Sequence, residues 1–135
     1  MSGLEPFLAT NPGPDSGHMM LEYTAHAAAA EARSLAAPMA SQSVWASLGV
    51  ESHASLAATA ATRTAELLHA MEVLVATELV VTVRALRGAD REPAGAGVRA
   101  LFDAAAEVLP AGSEDRAFGL DVEAARGLLT SRSVR

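Results

Sequence analysis

The sequence predicts an all-α chain that is completed by other chains. Three observations carry this. The composition is 50% hydrophobic but only 4% aromatic, with alanine dominant. Apolar residues between Leu56 and Ala85 recur at the three- and four-residue spacings of a helix. No stretch of useful length alternates apolar with polar residues, and there is no internal repeat. Alanine enters helices without side-chain entropy cost, yet it buries little surface per residue. A core made from it is thin, so close packing or a partner has to make up the difference.

The elements follow in order. Residues 1–14, with Pro6, Pro12 and Pro14, read as an extended N-terminal arm, and Met1 with this arm reads as a natural start. Residues 15–135 read as a single helical domain, about the size of one modest fold. Asp15 or Ser16 is placed to cap a first helix, which must stop near Ala36 or Ala37 because Pro38 disfavours helix at the residue before it. "PMASQSVWASLG" is an irregular connection carrying Trp45. A second helix is expected from near Val50 to Arg87, ended by Gly88. "VRALFDAAAEVL" is a short third helix, "PAGSEDRAFG" a loop, and "LDVEAARGLLT" a last helix capped near Asp121.

The second helix carries the strongest inference. Roughly 36 residues rising 1.5 Å each span roughly 54 Å. A compact domain of this length is about 40 Å across, so the helix overhangs any globule the chain forms alone. It is also apolar on more than one face around Val73 to Val83. A long helix with apolar residues all round is buried by something else. Assembly with other chains through this helix is therefore expected.

Composition excludes several function classes. A net charge of -6 with scattered arginines does not make a nucleic-acid groove, which needs clustered basic residues. There is no cysteine, hence no disulfide, thiolate ligand or cysteine nucleophile. "MSGLEPFLATNPGPDSG" lacks a basic region followed by an apolar run, so no signal peptide is read. "MEVLVATELVVTV" is interrupted by Glu72 and Glu78 and falls short of the ~20 apolar residues a bilayer needs. A soluble, cytoplasmic protein is the expectation. The histidines His18, His26, His53 and His69 include no pair at the i, i+4 spacing of a helical zinc site, so no metal is expected. Gly95 and Gly97 lack the preceding strand and following Lys of a phosphate loop and read as a linker.

"GVESHAS" places Glu51 and His53 among small and apolar residues. Two positions apart, they point away from each other on a helix. Alone, Glu51 reads as a carboxylate in a first helical turn, where it favours the dipole. Glu72 and Glu78 are either buried acids or partners for an arginine of another chain, and composition does not choose.

The ordered series "DSGHMM", "AEARSLAAP", "GVESHASL" and "EDRAFGLDVEAARGLL" resembles the C-terminal portion of the aromatic amino acid ammonia-lyase and aminomutase family. In histidine lyases of that family the corresponding blocks read "NSGFMI", "SENKxLAHP", "NQEDHVSM" and "DRxFxxDIExAxxLL". The resemblance runs from Asp15 to about Leu129. It implies a segment of a long-helix bundle, assembly into multi-subunit active sites, and chemistry on a methylidene-imidazolone electrophile formed from an internal Ala-Ser-Gly. It also implies a loop tyrosine as the base that removes the β-proton. This sequence has no Ala-Ser-Gly, and its one tyrosine, Tyr23, falls within the first helix.

Two roles carry over by position. Glu51 matches the glutamate that lines the substrate pocket of histidine lyases, where phenylalanine-type members carry Gln; it is the candidate catalytic and substrate-binding residue. His18 stands at the place of the phenylalanine that packs beside the prosthetic group and is the second candidate substrate-binding residue. Asp15, Val50 and Ser52 depart from the family's Asn, Gln and Asp. The resemblance thus implies a small subunit of a split ammonia-lyase or aminomutase, inactive alone. A larger partner chain would carry Ala-Ser-Gly and hence the prosthetic group. The alternative is a non-catalytic scaffold or regulatory protein that keeps the fold.

Overall fold

The computed structural model describes residues 3–42, 47–50, 55–112 and 114–133. Four helices carry the fold: α1 (Met19–Leu35), α2 (Ala57–Gly88), α3 (Ala96–Val108) and α4 (Gly119–Ser133). Short 3-10 turns occur at Pro6–Leu8, Met39–Ser41 and Ser47–Gly49. No strand occurs among the described residues; an isolated bridge joins Pro12 and Asp15. The all-α expectation holds.

Three boundaries differ from the sequence reading. The second helix starts at Ala57 rather than near Val50. Ser47, Leu48 and Gly49 have φ of 54°, 57° and 88°, a left-handed run that cannot feed a right-handed helix. The helix opens instead where Ser55 Oγ accepts the Ala57 amide at 3.3 Å. Asp15 does not cap α1 either; its carboxylate accepts the Asn11 amide at 3.0 Å, and α1 begins at Met19. The N-terminal segment is not extended throughout, for it turns at Pro6–Leu8 and buries Ala9.

Helix α2 is the axis. At 32 residues it is roughly 48 Å long. Helix α1 lies antiparallel along it: His18 and Leu21 border a groove with Thr77 and Val81, while the Ser34 carbonyl near the other end accepts Arg63 Nη2 at 2.7 Å. Buried Leu21, Ala28 and Ala32 share one face of α1, as spacings of seven and four require. Buried positions on α2 begin only at Ala70. Around its C-terminal half the core gathers Leu21, Ala76, Val80, Val83, Ala105, Leu109, Phe118, Val122 and Ala125, drawing on all four helices.

Polar ties reinforce this small-residue core. Arg87, in the last turn of α2, donates to the carbonyls of Ala106 (2.7 Å), Pro110 (3.0 Å) and Leu109 (3.2 Å). These belong to the end of α3, where carbonyls have no intrahelical partner. Glu72 is no buried acid and needs no foreign arginine, since it lies 3.5 Å from Arg126 of α4. Glu78 is exposed. Arg126 also donates to Glu123 at 2.9 Å and sits 3.2 Å from His69 Nδ1. No helix among the described residues is long and apolar enough to cross a membrane.

Replacing Arg87 by Met keeps the aliphatic stem and removes all three donors. The loss expected in urea unfolding is about 1–3 kcal/mol; an unchanged midpoint would show that the α3 carbonyls do not depend on Arg87.

Candidate functional site

The turn that opens α1 and the segment that opens α4 meet although they lie about 100 residues apart, and their meeting point is built from backbone amides upward. Amides ahead of a helix lack intrahelical acceptors. Here the Ser16 and Gly17 amides donate to the two carboxylate oxygens of Asp115, at 2.8 and 2.9 Å. Gly17 has φ of 54°, and a Cβ on it would meet the Phe7 carbonyl at 2.5 Å. Only glycine fits that approach. The His18 amide donates to the same Phe7 carbonyl at 2.8 Å, so the N-terminal segment folds over the turn.

His18 is buried, at 7% exposure. Its ring lies 4.3 Å from that of Phe118, centroid to centroid, tilted by 32°. The Arg116 guanidinium sits over Phe118 at 5.0 Å and pairs with Asp121 at 2.5 Å. Asp121, in the first turn of α4, is itself buried. Its position suits the helix dipole, and the arginine offsets the cost of burying its charge.

The His18 Nδ1 atom is buried and has no hydrogen-bond partner among the described residues. Burial lowers the pKa of the imidazole from its ordinary 6.5, the nearby charges of Arg84 and Arg116 lower it further, and Asp121 and Asp115 oppose them. The neutral ring is therefore the folded form at physiological pH. His18 borders a groove of about 420 Å³ shared with Phe7, Leu21, Thr77, Glu78 and Val81. Phe118, Asp115 and Arg116 line a different groove of about 490 Å³, on the far side of Leu21.

Of the two site residues expected from sequence, the structure thus places His18 in a built environment. Glu51 lies outside the described residues, as do His53 and Trp45, so its place in the site stays an expectation. Asp115, Arg116 and Phe118 were not singled out from sequence, and Asp121 was read only as a helix cap. Their signal was an aromatic flanked by opposite charges, "DRAFGLD", in a chain with only three phenylalanines. His26 lies 3.7 Å from Glu22, and His69 has Arg126. No cluster of three or more metal-ligating side chains occurs among the described residues. Tyr23 lies on α1 and is 63% exposed.

Comparison with known proteins places the fold. A family model described as aromatic amino acid lyase matches residues 1–107. Histidine ammonia-lyase from Stigmatella aurantiaca is 34% identical over 131 residues, 97% of this chain and 26% of that protein. The Deinococcus radiodurans histidine ammonia-lyase is 33% identical over 133 residues, 97% of this chain and 25% of that protein. Among solved structures, histidine ammonia-lyase from Trypanosoma cruzi superposes with a TM-score of 0.86 at 25% identity, over 97% of this chain and 26% of that one. The chain spans about a quarter of the length of the curated relatives it matches.

Two stability predictions follow from this geometry. A lowered folded pKa means the unfolded chain binds the proton more readily, so the contribution of His18 is complete above pH ~6.5 and is lost as pH falls through the folded value. His18→Phe removes both the proton site and the orphaned nitrogen. It is expected to be about 1 kcal/mol more stable than wild type at neutral pH, with a gap that widens below pH ~6.5; parallel urea midpoints at all pH values would contradict this. Gly17→Ala is expected to cost more than about 1 kcal/mol, read from the same unfolding curves.

Proposed function

The chain belongs to the aromatic amino acid lyase family, and from that premise we propose that it is the small subunit of a two-component aromatic amino acid ammonia-lyase or aminomutase. Its role is to complete the helical bundle and one wall of an active site. A larger partner chain contributes Ala-Ser-Gly, and with it the methylidene-imidazolone group, together with the catalytic tyrosine. One observation carries the reading: the family's helical arrangement is kept across nearly the whole chain, while these 135 residues contain no Ala-Ser-Gly.

The reaction removes a β-proton and breaks the C–N bond of an amino acid, releasing ammonia and an α,β-unsaturated acid; an aminomutase returns the ammonia to the β-carbon. The electrophile, when present, supplies the electron sink. The residues of this chain supply surroundings that suit such a group. His18 presents a flat, neutral ring at the wall of a groove, with an Nδ1 that has no partner among the described residues, and excludes water from the surface behind it. Glu51 accepts a hydrogen bond from a polar substrate side chain, or moves a proton once burial raises its pKa. Tyr23 takes no part as the base, because it stands on an exposed face of α1.

A second reading, a non-catalytic scaffold that keeps the fold, draws on the departures at His18, Val50 and Ser52 from the histidine-lyase pattern. It expects stable self-association and no effect of this chain on a partner's activity.

The test is co-expression with an Ala-Ser-Gly-bearing polypeptide, sizing of each chain alone and together, and measurement of ammonia and unsaturated acid released. A joint assembly is expected, active only with both chains. Glu51→Gln should lower kcat/KM on the order of 10²-fold. Two chains that never associate, or a Glu51→Gln assembly with unchanged activity, would sink the proposal; full activity without this chain favours the scaffold.

A further inference from the structure

An imidazole at a site wall is useful only if its orientation is fixed. Proteins usually fix it through a hydrogen bond to one ring nitrogen, often from Nδ1–H to a carbonyl or carboxylate. His18 Nδ1 has no such tie among the described residues. What holds the ring is an aromatic face: Phe118, 4.3 Å away and tilted by 32°. Aromatic pairs prefer offset or tilted arrangements over a face-to-face sandwich.

Phe118 is held in its turn. Arg116 lies over its ring, and the Arg116 guanidinium is oriented by Asp121 at 2.5 Å and by the Gly112 carbonyl at 3.2 Å. One residue earlier, Asp115 fixes the backbone from which His18 projects, through the Ser16 and Gly17 amides. The segment 115–121 thus fixes both the origin of the His18 side chain and the plane of its ring. Phe118 does not border the groove that His18 lines; its routes to that groove are the imidazole and Leu21, which shares its core cluster.

We infer that Phe118, oriented by the Arg116–Asp121 pair, is a positioning residue for His18, setting the tilt at which the imidazole borders the groove. The inference rests on the reading of His18 as part of the site wall, but its first test does not depend on activity.

That test is NMR of the His18 ring in the full chain. Phe118→Leu is expected to abolish the ring-current displacement of the His18 carbon-bound protons. It should also move the His18 titration, which burial, Arg84 of α2, Arg116, Asp121 and Asp115 set, while Glu22 of α1 and Glu78 of α2 line the same groove. Unchanged His18 signals and titration in a folded Phe118→Leu chain overturn the inference. Should that variant lose its helical circular dichroism, Arg116→Gln decides instead: altered His18 signals support positioning, and unaltered ones overturn it.

In the reconstituted assembly Phe118→Leu should lower kcat/KM on the order of 10²-fold, the effect of a misplacement of about 1 Å. In a His18→Ala background the same substitution should add little, since residues acting as one unit are not additive. Additive losses overturn the inference and leave the proposed function standing. A wild-type assembly without lyase or aminomutase activity sinks the proposed function, while the NMR result still decides whether Phe118 orients His18.

Discussion

Arg87 reaches from the last turn of α2 to three carbonyls at the end of α3, and the rest of the chain depends on ties of this kind. The core offers mostly alanine and valine, with Leu21, Leu109 and Phe118 as its larger members. Such side chains bury little area, so hydrophobic burial alone specifies weakly how four helices are set against one another. Directional bonds supply the missing specification. Arg63 repeats the device at the end of α1, and Arg126 joins α4 to Glu72. All three arginines place a charge against a neighbouring helix, and Arg63 and Arg87 do so at carbonyl ends, where helix dipoles favour cations.

The same logic builds the candidate site. Asp115 takes two amides that no helix could satisfy, and so fixes the start of α1 to the segment before α4. Once that joint is made, His18 and Phe118 are forced into contact, and the buried Asp121 needs Arg116. The orphaned Nδ1 is a cost of the arrangement, since a phenylalanine at position 18 would fill the space without a polar atom. A local choice that lowers stability without visible local gain is a feature of functional positions, which is consistent with His18 serving the groove.

The helices were legible because their signals are local. Period, proline and glycine placed α1, the end of α2 at Gly88, α3 and α4 to within a few residues. The start of α2 was misjudged because nothing in "SLGV" announces three successive left-handed residues, two of them not glycine. Long-range polar partners were illegible for a different reason. Glu72 with Arg126, or Asp115 with Gly17, are set by which helix faces meet, and no spacing in the chain encodes that. Only the ordered family motifs gave His18 a role; of its surroundings, Asp121 was read as a helix cap, and Asp115, Arg116 and Phe118 lay in a block noted for resemblance alone.

The long helix raises the final point. Its buried positions start at Ala70; the stretch from residue 57 to 69 is only half covered, by α1, by the Met39–Ser41 turn beside Ala57 and Ala60, and by Arg126 of α4 beside His69. There the half-buried positions on α2 are Ala60, Arg63 and Leu67, Ala28 and Ala32 are buried positions on α1, and the Arg63–Ser34 bond is a polar tie between the two helices. Leu68, Met71 and Val75 remain exposed along α2, at spacings that keep them on one stripe. A hairpin of this composition is the least stabilised part of the chain in isolation and opens first. Under the proposed two-component reading, a larger chain packed along that stripe stabilises the same hairpin whose connecting segment carries Glu51. Assembly and completion of the active site then become one event, because the helix that needs covering follows directly on the segment that bears the candidate carboxylate.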